Sequence, residues 1–133
     1  MILVDSSVWI DYFNGTDIPE TTKLDNLLGS APLATGDLIL TEVLQGFRSE
    51  KDYKKAKELL TSLPVVNLLD TPIAIKSADN FRLLRKKGVT VRKTIDVIIA
   101  TFCIENKHSL LHCDKDFLPF HKKLNLLNAM TDI

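Results

Sequence analysis

The chain has 133 residues, of which 45% are hydrophobic and 26% are charged. These values are typical of a globular domain and exclude a disordered segment or a membrane protein. The length predicts a single domain that spans residues 1–133. Lys plus Arg and Asp plus Glu each number 17, so binding to a polyanion would require a local basic patch.

The sequence shows no targeting or membrane-spanning pattern. Ile2-Leu3-Val4 lead into Asp5 without a basic flank, which is not the pattern of a secretory signal. The longest apolar stretch, Val97–Ile104, is far shorter than the roughly 20 residues that span a bilayer. We therefore expect a cytoplasmic protein that has no membrane partner.

Helical patterns alternate with short apolar runs, which is typical of an α/β fold. In chain order we predict strand Ile2–Val4; helices Ser7–Phe13, Glu20–Leu28, Asp37–Phe47 and Ser49–Leu63; strand Pro64–Leu69, buried on both faces; helices Pro72–Lys87 and Thr94–Asn106, the latter capped by Thr94; strand Ser109–Cys113; helix Asp116–Lys123; and a last strand near Leu126. Because strand–helix–strand crossovers are right-handed almost without exception, this order predicts a three-layer α/β/α domain with a mostly parallel central sheet flanked by helices.

Acidic residues fall where a parallel sheet positions its ligands. Asp5 and Asp114 each follow a predicted strand directly, at the carboxyl edge where open α/β sheets bind ligands. Asp96 lies in the first turn of its helix, and Glu42 lies on the same helical stripe as the apolar Ile39. We expect these acids to converge on one edge of the sheet.

Each acid has a structural interpretation when it is taken alone. Asp5 can cap the helix that follows it, and Asp96 can interact with the positive end of its helix. Asp114 and Asp116 can form a turn, and the Glu42 carboxylate can reach water. Together, converging carboxylates would repel one another unless a cation lay between them, and all-oxygen ligation favours Mg²⁺ or Mn²⁺. Such a site indicates phosphate chemistry.

These acids lie in four segments whose order and spacing resemble a known family. The segments are Asp5-Ser6-Ser7-Val8-Trp9, Glu42-Val43-Leu44-Gln45-Gly46, Asp96-Val97-Ile98-Ile99-Ala100 and Leu110-Leu111-His112-Cys113-Asp114-Lys115-Asp116-Phe117. They resemble the four ordered motifs of PIN-domain ribonucleases. Over the whole chain the likeness is strongest to the VapC toxins of toxin–antitoxin pairs.

The resemblance implies a metal-dependent endoribonuclease. Its catalytic and metal-binding quartet would be Asp5, Glu42, Asp96 and Asp114, with Mg²⁺ or Mn²⁺ as the cofactor. Asp116 would be an auxiliary metal-site acid, and Ser6 would support Asp5. The resemblance also implies a homodimer and an inhibitory VapB-type antitoxin whose tail brings a cation to the acidic site. In one departure from the family pattern, His112 occupies a position where many members carry Ser or Thr.

An RNA substrate would need cationic contacts near these acids. Arg92 and Lys93 come shortly before Asp96, and contact with phosphate or exposure in a solvated loop are equally compatible with that position. The basic residues that end the helix before them, at 85–87, are explained by the helix dipole.

Three other classes of protein remain open at this point. A receiver-type signalling domain also binds Mg²⁺ at strand ends, but it would need an acidic pair where the sequence has only Asp5. A PIN-like module without turnover would bind a partner and cleave nothing. A serine hydrolase that used Ser6 or Ser7 with a histidine lacks the nucleophile-elbow pattern.

Overall fold

The central sheet is parallel throughout. The computed structural model describes residues 1–131, in which five strands form the order β3-β2-β1-β4-β5 and every neighbouring pair is parallel. The strands are β1 (Ile2–Val4), β2 (Leu33–Gly36), β3 (Val65–Val66), β4 (Ser109–Leu111) and β5 (Leu127–Asn128).

The helices divide into two groups. They are α1 (Ser6–Phe13), α2 (Pro19–Leu27), α3 (Asp37–Leu44), α4 (Glu50–Ser62), α5 (Thr71–Lys86), α6 (Thr94–Asn106) and α7 (Leu118–Lys123), preceded by a 3₁₀ turn at Lys115–Phe117. Helix α1 contacts α2 and α3, and α3 contacts α4, whereas α5 contacts α6. Because the two groups connect strands in opposite directions across the sheet, right-handed crossovers put them on opposite faces. The predicted three-layer α/β/α fold is confirmed.

The fold places one crevice at the carboxyl end of the central strand. The chain leaves β1 toward β2 on one side and later returns to β4 on the other side, with Leu3 paired to both Ala34 and Leu110. Leu3 and Leu110 are fully buried in the core beneath this point. Parallel sheets bind ligands where the strand order reverses in this way, because neighbouring connections diverge there.

Sequence patterns missed strand β2. Leu33–Gly36 has the composition Leu-Ala-Thr-Gly, which carries little β-propensity, yet all of it is buried. Pairing with β1 and β3 decides its conformation. The glycine has a packing reason, because a Cβ at Gly36 would collide with the buried side chain of Leu68.

Two further predictions are wrong in detail. Strand Pro64–Leu69 was expected to be buried on both faces, but β3 is a short strand at the sheet edge and Val65 is exposed. Thr94 does not cap α6; Lys93 occupies the N-cap position with extended backbone and makes no side-chain cap. Among residues 1–131, every helix is too short or too polar to cross a membrane.

Candidate metal centre

Four elements bring the predicted acids to the crevice at the end of β1. Asp5 follows β1, Asp114 follows β4 after two residues, and the Asp5 amide donates to the Leu111 carbonyl at 2.9 Å. Asp96 lies in the first turn of α6, and Glu42 lies on α3. These positions match the convergence that the sequence predicts.

The closest group of acids combines two members of the predicted quartet with the predicted auxiliary acid, Asp116. Carboxylate oxygens of Asp96, Asp114 and Asp116 all lie within 4.8 Å of one another. Asp116 therefore joins the cluster directly, through a turn in which its amide donates to Asp114 Oδ1 at 2.9 Å. Asp5 and Glu42 are not members of this group, but their charges act on Asp96.

Burial and mutual repulsion raise the pKa values of three of these acids. The pKa of Asp96 is raised to about 7, mainly by burial and secondly by the charge of Asp5. The pKa of Asp5 is also raised, chiefly by burial, and that of Glu42 by partial burial and then by the charge of Asp5. A cation placed among these groups would favour their ionised forms.

Two carboxylate oxygens in the crevice have no hydrogen-bond partner. Asp5 is only 3% exposed and Asp96 only 5%. Asp5 Oδ1 and Asp96 Oδ2 are both buried, and neither accepts a hydrogen bond from residues 1–131. Unpaired buried carboxylate oxygens are costly, and a hard divalent cation would satisfy them. The all-oxygen donor set fits Mg²⁺ or Mn²⁺.

The two serines after β1 hold two of the acids in place. The Ser6 hydroxyl donates to Glu42 Oε1 at 3.3 Å, while the Ser6 backbone amide donates to Asp5 and lowers its pKa. Ser7 supports Asp5 more strongly, donating from both its amide and its hydroxyl to Asp5 Oδ2 at 3.1 and 2.6 Å. The Ser7 hydroxyl also accepts from the Cys113 amide at 3.3 Å, which joins the ends of β1 and β4.

The side chains of Arg92 and Lys93 form ion pairs with two of the acids. Arg92 Nη2 is 3.1 Å from Oδ2 of Asp116, and Lys93 Nζ is 3.6 Å from Oδ2 of Asp114. The charges of Asp96 and Asp114 raise the pKa of Lys93. The acidic crevice therefore contains two basic side chains, those of Arg92 and Lys93.

A pair of histidines stands behind Asp114. The Asp114 amide donates to His112 Nδ1 at 3.2 Å, and His112 Nε2 lies 2.8 Å from His121 Nε2. His112 is buried, and its ring packs against that of Phe117. Since these rings bond to each other and the Ser6 and Ser7 hydroxyls bond to carboxylates, the serine–histidine pair of a hydrolase does not form within residues 1–131.

Sequence reasoning missed two residues, Ser7 and His121. The spacing of Ser7, two residues after Asp5 at a helix start, is a recognisable capping pattern and could have identified it. No local pattern identifies His121, because its partner lies on a different element.

Comparisons with known proteins agree with this arrangement. Residues 2–122 match the family described as PIN domain. The chain belongs to the PIN-domain family. It is 31% identical over 131 residues to Ribonuclease VapC11 of Mycobacterium tuberculosis, an alignment that covers 97% of this chain and 98% of that protein.

Solved structures share the fold at lower identity. VapBC2 from Rickettsia felis, solved with a DNA fragment from its promoter, superposes with a TM-score of 0.73 at 16% identity, covering 96% of this chain and 97% of that chain. A toxin–antitoxin complex from Klebsiella pneumoniae gives a TM-score of 0.66 at 21% identity, covering 88% and 90%. The family match does not favour the receiver-type alternative.

Proposed function

We propose that this protein is a divalent-metal-dependent endoribonuclease of the VapC type, active in the cytoplasm and restrained by a VapB-type antitoxin. The observation that carries the proposal is the pair of unpartnered oxygens on buried Asp5 and Asp96, in the acidic crevice at the end of β1. The family membership and the 31% identity to a protein named as a VapC ribonuclease support the same reaction.

The proposed division of labour follows the contacts. Asp5, Glu42, Asp96 and Asp114 hold Mg²⁺ or Mn²⁺, with Asp116 as an auxiliary ligand. When bound, the cation supplies positive charge that activates water and neutralises charge developing on the phosphodiester. Ser7 keeps Asp5 in place and favours its ionised form through two donated hydrogen bonds. Arg92 and Lys93 hold the RNA backbone beside the acids.

Two protein partners are part of the proposal. An antitoxin tail that carried Arg or Lys could occupy the acids as Arg92 and Lys93 do here. Apolar residues of the same tail would fit the cavity of about 140 Å³ between α1 and α3, which is lined by Ile10, Phe13 and Phe47 among others.

The second partner in the proposal is another copy of the chain, which would form a homodimer. Sedimentation analysis of the purified protein tests this oligomeric state.

The test is incubation of the purified protein with total cellular RNA, with Mn²⁺ or with a chelator. We expect discrete new fragments that need the metal and that disappear in Asp96→Asn. The matched control is Asp79→Asn, which removes a carboxylate from the exposed surface of α5 and should cleave normally.

Two outcomes would contradict the proposal in different ways. Cleavage that persists in Asp96→Asn would remove Asp96 from the site or reveal a contaminating nuclease. Mn²⁺ binding by calorimetry without any cleavage would favour the PIN-like module that binds partners and lacks turnover.

A further inference from the structure

The described residues form few ion pairs, and these lie in one place. Lys plus Arg number 17 in the chain, yet among residues 1–131 the two side-chain ion pairs are Arg92–Asp116 and Lys93–Asp114. Both join the loop before α6 to the turn after β4. Both ion pairs of the described residues therefore lie at the acidic crevice.

The position of Lys93 is unusual for its backbone conformation. Lys93 occupies the N-cap of α6 and makes no side-chain cap there. A helix N-terminus carries partial positive charge, so a lysine at that position is unfavourable unless nearby anions offset it. Asp96 and Asp114 provide that offset, and they are the acids whose charges act most strongly on Lys93.

The two cations are exposed while their partners are not. The side chains of Arg92 and Lys93 are 73% and 59% exposed, whereas those of Asp116 and Asp114 are 16% and 23% exposed. Because the basic partner of each pair is largely exposed to water, the pairs contribute little stability, and a divalent cation can displace Arg92 and Lys93 from the acids at small cost. Displaced cations would remain at the rim of the crevice, next to the site of cleavage.

We propose that Arg92 and Lys93 exchange partners during function, neutralising Asp116 and Asp114 before the metal binds and contacting RNA phosphates after it has displaced them. This inference rests on the proposed function, because it assumes a metal in the crevice. Metal and RNA binding are then thermodynamically coupled, since each strengthens the other through the same two side chains. Arg92 and Lys93 are thus binding residues whose availability depends on the metal.

The experiment measures Mn²⁺ affinity and RNA affinity separately in Arg92→Gln and Lys93→Gln. Calorimetry gives the Mn²⁺ Kd, and fluorescence anisotropy gives binding of a short homopolymeric RNA that a gel shows to stay intact. We expect Mn²⁺ to bind roughly 2- to 5-fold more tightly to each variant, because a competing cation is gone. With Mn²⁺ present, we expect RNA to bind more weakly, with a salt slope reduced by about 0.7 per substitution.

The opposite signs of these changes distinguish partner exchange from other roles. A purely structural role would weaken both affinities, and an RNA contact without metal competition would leave the Mn²⁺ Kd unchanged. The control is Lys115→Gln, which removes a charge from the same turn at a residue without an ion pair among those described. Equal tightening of Mn²⁺ in Lys115→Gln would overturn the inference, because a general field effect would then explain the result.

The experiment also separates this inference from the proposed function. Mn²⁺ binding that Asp96→Asn abolishes but that Arg92→Gln and Lys93→Gln leave unchanged would overturn the partner exchange alone. Absence of Mn²⁺ binding in the unsubstituted protein would overturn both.

Discussion

His112 and His121 face each other through their Nε2 atoms, which lie 2.8 Å apart, and their rings are nearly parallel. The Asp114 amide donates to His112 Nδ1, so neutral His112 carries its proton on Nε2 and donates to His121. His121 Nδ1 lies 2.7 Å from the Leu126 carbonyl and must carry the second proton. The Asp114 amide can donate to His112 only while the His112 ring is neutral.

This arrangement predicts a loss of stability at acidic pH. Burial, and secondarily the neighbouring His121, lowers the pKa of His112 to about 4 from its ordinary 6.5. As the pH falls, His112 therefore takes up its proton in the unfolded chain before it does so in the folded protein. The contribution of neutral His112 to folding stability is complete above pH 6.5 and is lost as the pH falls toward 4. Relative to His112→Gln, the chelator-treated wild type should lose up to about 3 kcal/mol across this range.

Urea unfolding of both proteins at several pH values measures this difference. Both proteins carry the same acidic residues. The difference between their free energies of unfolding at each pH therefore gives the contribution of the His112 imidazole. A difference that stayed constant between pH 4 and 6.5 would show that His112 protonates without breaking the pair.

Asp96→Asn should stabilise the metal-free protein, increasingly so at higher pH. The Asp96 pKa is about 7 in the folded state against 3.8 ordinarily, so the unfolded chain ionises first as pH rises and the folded state loses stability between these values. The variant escapes this loss. The free-energy advantage of the variant should grow from near zero at pH 4 to about 2 kcal/mol above pH 7. This is roughly half of what the whole pKa difference would give.

Thermal unfolding in chelator and in Mn²⁺ tests this prediction. Mn²⁺ should raise the Tm of the wild type and leave Asp96→Asn nearly unchanged, because binding to the folded state stabilises it. A variant that melted below the wild type in chelator would indicate that Asp96 serves α6 as a structural residue.

Ser7→Ala should weaken Mn²⁺ binding more than Ser6→Ala does. The Ser7 hydroxyl donates to Asp5 Oδ2 at 2.6 Å, whereas Ser6 reaches Glu42 at 3.3 Å. Loss of a hydrogen bond to a charged group costs roughly 1.5 kcal/mol, or about 10-fold in affinity, because ionised Asp5 becomes less favourable. Calorimetric titration with Mn²⁺ measures both variants, and a larger effect in Ser6→Ala would reverse the assignment.

Local patterns accounted for most of the helices and for the placement of Asp5 and Asp114. Both acids follow apolar runs, and a parallel sheet brings the ends of such runs to one edge. Strand β2 escaped prediction because its Leu-Ala-Thr-Gly composition is not β-prone and only its two neighbours hold it extended. The single-domain extent and the catalytic roles of the acids remain predictions.

The finer arrangement of the crevice depended on distant contacts. Ser6 and Ser7 are adjacent in sequence, yet the rotation of about 100° between neighbouring helical residues directs them to different carboxylates. Arg92 reaches Asp116 across 24 positions of sequence. Such pairings follow from how α6 and the turn after β4 pack, which no local pattern encodes.

The amino-acid sequence by itself determined the class of fold and the chemical type of the site, because both follow from periodicity and from which acids end apolar segments. Only the tertiary structure decided that Ser7 holds Asp5 and that Arg92 and Lys93 pair with Asp116 and Asp114. The physical reason is that electrostatic and hydrogen-bond partners are selected by distances of a few ångströms. Those distances are set by the packing of whole elements, after local preferences have formed them.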